Sequence, residues 1–87
     1  MAEKKIGEVV KFFAKPSVAA IKVTEGTLNI GDTILIKGHT TDFQEEVKSM
    51  QIDNVPVEKA ETGQLVGIKV QNRVRDGDTV YKVADED

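Results

Sequence analysis

No window of this 87-residue chain repeats apolar residues at helical spacing for three turns, which removes helix packing as a way to build its core. The apolar residues fall instead into short β-branched and aromatic runs: IGEVVKFF (6–13), VAAIKVT (18–24), TILIK (33–37), FQEEVKSMQI (43–52), LVGIKV (65–70) and TVYKV (79–83). The AKPS turn with Pro16 makes the first two a hairpin, and Gly, Asp, Asn or Pro bounds the others. At most one helical turn fits, at VEKAET (57–62). The class predicted is all-β.

Alternation assigns faces. Val66, Ile68 and Val70 point one way and Gly67 and Lys69 the other. In the fourth run Phe43 and Val47 share one parity and Met50 and Ile52 the opposite, which predicts a bulge between Val47 and Met50. Short antiparallel strands with one wet face and glycine corners suit a small closed six-stranded antiparallel β-barrel, which also hides its edges. The expected limits are a barrel over 6–83, a flexible N-terminus over 1–5 and a flexible acidic tail over 84–87.

There is room for one core, since a chain this short buries only about 60% of its extended surface. Fifteen acidic against twelve basic side chains give a net charge of −3, so binding to nucleic acid requires a local basic cluster. The chain has no cysteine, which excludes disulfides, thiolate metal sites and thiol nucleophiles. The first ten residues lack a signal-peptide core and no run approaches membrane-spanning length, so the expectation is a cytoplasmic monomer without a membrane partner.

NIGDTILIKG (29–38) is echoed by RDGDTVYKV (75–83). Asp32 and Asp78 lack the alternating carboxylates of a calcium loop, so no metal site is expected. A repeated corner is expected instead, with Gly31 at positive φ and the aspartate bonding a nearby backbone N–H.

The order of GTLNIGD (26–32), VEKAETGQLVGIKV (57–70) and VRDGDTV (74–80) resembles the second domain of translational GTPases such as elongation factor Tu, over about residues 6–83. GHTTDFQEEVKSMQI (38–52) is similar to two narrower groups. One is the small stand-alone elongation-factor-like proteins; the other is the C-terminal accessory barrel of collagenase-like peptidases associated with RNA modification. The resemblance implies the six-stranded barrel and a translation-related or RNA-related role. In elongation factor Tu this domain grips the aminoacyl end of tRNA with an acidic side chain and an amide. The aligned positions here are Ser49 and Leu65, so that polar grip does not carry over. There is no Gly-x-x-x-x-Gly-Lys-Ser/Thr loop, hence no nucleotide cofactor, and no peptidase catalytic segment.

No constellation of catalytic residues is visible. His39 stands alone in KGHTT; Ser17 and Ser49 lack a nucleophile elbow; Glu45 and Glu46 are adjacent in a strand and point apart. A non-enzymatic module with no cofactor is expected. Its candidate contacts for RNA or a partner are Lys11, Lys15, Phe13, Lys69, Arg73 and Arg75. The two arginines could fork a phosphate or carboxylate, or form a charged rim with Asp76 and Asp78. Of Phe12 and Phe13 only one can enter the core, and the other stands outside near Lys11 as a base-stacking or protein contact. Two functions remain open: docking on RNA or a ribonucleoprotein, and protein interaction with a separately encoded peptidase-like or RNA-modifying catalytic subunit.

Overall fold

A computed structural model describes residues 2–15 and 17–84; Pro16 of the first turn and residues 85–87 of the acidic tail lie outside the described residues. The described chain is strand and turn, with no helix: β1 (Ala2–Phe13), β2 (Val18–Val23), β3 (Thr27–Asn29), β4 (Thr33–Lys37), β5 (Asp42–Glu46), β6 (Met50–Ile52), β7 (Val55–Val57), β8 (Lys59–Glu61), β9 (Leu65–Lys69) and β10 (Thr79–Ala84). Eight of them form one antiparallel sheet in the order β5-β4-β10-β1-β2-β9-β6-β7, and β3 pairs with β8 separately. Period-2 burial explains the strands. In β2, Ala19, Ile21 and Val23 are buried between more exposed neighbours, and in β9 Val66 and Ile68 point inward while Leu65 and Lys69 are exposed. These side chains meet Leu28, Ile34, Ile36, Met50 and Val80 in one core.

The structure corrects the closed six-stranded barrel: there are ten strands, and the sheet edges β5 and β7 are not paired with each other. The reason lies in the fourth run, which breaks at residues 47–49 where a bulge was expected. The Val47 N–H donates to the Asp32 carbonyl and its carbonyl accepts from Gly31 N–H, both at 2.8 Å, so Val47 has left the strand ladder. The sheet still curls far around. Its first strand in spatial order, β5, and its seventh, β6, are joined by only three residues, a reach of at most about 14 Å. Pro56, which has no N–H to offer, blunts the β7 edge.

Two other expectations change. Residues 57–62 hold strand, not a helical turn, because Ala60 is buried between exposed Lys59 and Glu61. The expected flexible segment 1–5 is strand from Ala2, with Ala2 to Lys5 paired against Ala84 to Tyr81. That pairing covers the flank of β10 not already taken by β4.

Candidate functional site

The two halves of the Gly-Asp echo are two of three copies of a single corner: Asn29–Asp32, Glu61–Gln64 and Arg75–Asp78. In each, the fourth residue's N–H donates to the first residue's carbonyl, at 3.1, 3.0 and 3.1 Å. Its side-chain oxygen accepts the first residue's N–H in return, at 2.7, 2.7 and 2.9 Å. The third residue is glycine at φ of +97°, +93° and +93°, as a type II turn requires. Each corner is then clasped to a buried valine. The glycine N–H donates to the carbonyl of Val47, Val23 or Val9, and that valine's N–H donates back to the fourth residue's carbonyl, all at 2.7–3.0 Å. The carboxylates of Asp32 and Asp78 are thereby committed to the backbone. Among the described residues no three His, Asp or Glu side chains gather as a metal would need.

The third corner fixes the position of Arg75 beside a bulge in β1. Register shifts between Val9 and Lys11 in the β1–β2 ladder, and Val10 is left 43% exposed. A cleft of about 470 Å³ results, lined by Val10, Lys11, Phe12, Arg73, Val74, Arg75 and Asp76. Val74 is buried and anchors the loop between the two arginines. The single ion pair among the described residues joins Lys82 to Asp32 at 3.1 Å, so Lys11, Arg73 and Arg75 have no carboxylate partner there.

The same bulge settles which phenylalanine enters. It switches parity after Val9, turning Phe12 toward the core and leaving Phe13 44% exposed. Phe13, Lys15, Val18, Leu65 and Gly67 wall a hollow of about 370 Å³ on the outer face, with Gln51, Asp53 and Asn54 opposite. Leu65 is 54% exposed there. The Lys11 ammonium lies 5.1 Å from the Phe13 ring centroid, so the cleft and the hollow share an edge.

Of the six candidate contacts, the cleft unites Lys11, Arg73 and Arg75, and the adjoining hollow holds Phe13 and Lys15. Lys69 stands apart, in a hollow of about 430 Å³ with Glu45, Lys48, Ser49, Val70 and Gln71 at the unclosed seam. There the Glu45 carboxylate accepts the Gln71 N–H at 2.9 Å, while Glu46 is exposed. His39 is exposed in the turn that Gly38 N–H closes on the Thr41 carbonyl. Sequence reasoning missed Val10, Val18 and Leu65 as surface groups, although the odd spacing from Val9 to Phe12 carries the bulge that exposes the first.

Residues 17–81 match elongation factor Tu domain 2 as a sequence family. The chain belongs to that family. It is also 54% identical over 77 residues to an uncharacterized protease of Methanocaldococcus jannaschii, covering 87% of this chain and 19% of the protease. A collagenase of Porphyromonas gingivalis is 36% identical over 78 residues, covering 88% of this chain and 22% of the collagenase. The chain thus spans about a fifth of the length of these relatives. Among solved structures, the C-terminal domain of a Geobacillus thermoleovorans protein named for the U32 peptidases superposes with a TM-score of 0.86 at 15% identity, each chain covered to 93%. The selenomethionine variant of that domain gives 0.83 at the same identity, covering 88% of this chain and 96% of the domain. The fold is that of a peptidase C-terminal domain as well as of a translation-factor domain 2.

Proposed function

We propose that the chain is a non-catalytic accessory domain that docks a peptidase-like catalytic partner. What supports this is the 54% identity to one fifth of a much longer protease, a segment with the fold of a C-terminal domain. The three corners spend their polar side chains on the backbone. The test is capture from native cell extract with this chain as bait. A retained polypeptide similar to the remaining four-fifths of the archaeal protease is expected; retention of RNA alone contradicts the proposal.

A second reading, docking on RNA, is favoured by one observation, Lys11, Arg73 and Arg75 around one cleft with no carboxylate partner among the described residues. Three phosphate contacts at most predict a salt slope of about 2 logarithmic units on single-stranded RNA. Retention that ignores salt, or that survives Arg73→Glu/Arg75→Glu, contradicts it.

A further inference from the structure

We infer that the cleft and the adjoining hollow form one composite docking face for a short acidic protein segment, whose bulky apolar side chain fills the hollow while flanking carboxylates meet Lys11, Arg73 and Arg75. The identity of the partner rests on the accessory-domain proposal; the chemistry of the segment rests on the surface alone. Four basic side chains, Lys11, Lys15, Arg73 and Arg75, stand against Asp53 and Asp76 on this face, in a chain whose overall charge is −3. The charge is therefore concentrated here against the trend of the molecule, which favours a carboxylate-bearing ligand that arrives at one spot. Arg73 and Arg75 have no ion-pair partner among the described residues, so their guanidinium donors are available to a bidentate carboxylate.

The hollow supplies the apolar half. Leu65 and Phe13, about half exposed, line it together with Gly67, whose nearest side chain is Val18. Between Phe13, Val18 and Leu65 an aliphatic or aromatic side chain would lose water on several sides. A single-stranded RNA fits less well. The ammonium of Lys11 already occupies one face of the Phe13 ring, which removes that face from base stacking.

The ¹⁵N-labelled chain titrated with a short blocked peptide of glutamates flanking a central leucine tests the inference directly. Saturable shifts are expected at the amides of Phe13, Val18, Leu65, Gly67, Arg73 and Arg75, and none with the same peptide carrying lysine for glutamate. Phe13→Ala and Arg73→Glu/Arg75→Glu, each with an otherwise unchanged amide spectrum, should weaken binding by about tenfold or more. Leu65→Asp, at an exposed position, provides an independent variant of the hollow. Absence of shifts, equal shifts from both peptides, or tighter binding of hexauridylate at the cleft alone would overturn the composite face. If the catalytic partner is captured equally well by the wild type and by all the variants, the face is wrong and the accessory role stands. If the acidic peptide behaves as expected and no peptidase-like partner is captured, the face stands and the accessory role fails.

Discussion

The corners Asn29–Asp32 and Arg75–Asp78 share a backbone device bond for bond, yet they present opposite surfaces. Asp32 takes a salt bridge from Lys82, whose ammonium also donates to the Thr27 carbonyl at 3.4 Å, so the first corner is tied down by its own neighbours. Asp78 is 5% exposed and its carboxylate abuts Gly38, while Arg75 and Arg73 outside it have no acidic partner among the described residues. The repeated sequence is therefore architecture, and what distinguishes the two corners is the charge placed around them. A motif seen twice points to function only when its side chains are not already used by its own turn.

The glycines test whether the corners are equivalent. A Cβ at Gly31 or Gly77 meets no atom within 4 Å, so the cost expected of a side chain there is the backbone strain of its positive φ. Gly31→Val and Gly77→Val should each destabilise by about 1–3 kcal/mol; an unchanged denaturant midpoint for one of them would show that the two turns differ. The aspartates should separate them next. Asp78→Ala removes a buried carboxylate that accepts the Arg75 N–H and should cost about 1–2 kcal/mol, whereas Asp32→Ala, at a carboxylate with 22% of its side-chain surface exposed, should cost under about 1 kcal/mol. A reversed order in chemical denaturation would refute the burial argument. Lys82→Met should change stability by about 0–1 kcal/mol, most visibly at low salt, and a larger loss would mean that the partly exposed ion pair matters more than its geometry suggests.

Much of this was legible in the chain. The glycine at positive φ follows from Gly-Asp chemistry at Gly31, and the inward set Val66, Ile68 and Val70 follows from alternation. The corner Glu61–Gln64 was hidden because Gln64 replaces the aspartate, although its amide oxygen performs the same bond. The three-residue strands β3, β7 and β8 carry too few residues to show a period, and Ala60 in β8 is too small to register as core. Parity located the irregularity after Val47 but not its form, because the competing bonds come from residues 31 and 32, far back in the chain. For the candidate site, sequence grouped the basic residues Lys11, Arg73 and Arg75 with Lys69, which the curl of the sheet puts at the seam instead. Which phenylalanine turns outward depended on the bulge at Val10, a decision of register and not of composition.

The most direct measurement pairs stability with partner capture in one protein, the Arg73→Glu/Arg75→Glu double variant. Both arginines are exposed and unpaired among the described residues. Their replacement should therefore move stability by no more than about 0.5 kcal/mol, or about 2–4 °C in Tm for a domain of this size. The account predicts an essentially unchanged melting curve together with loss of the peptidase-like partner. Capture at the wild-type level, or a partner lost only in step with a collapse of the melting temperature, would contradict it.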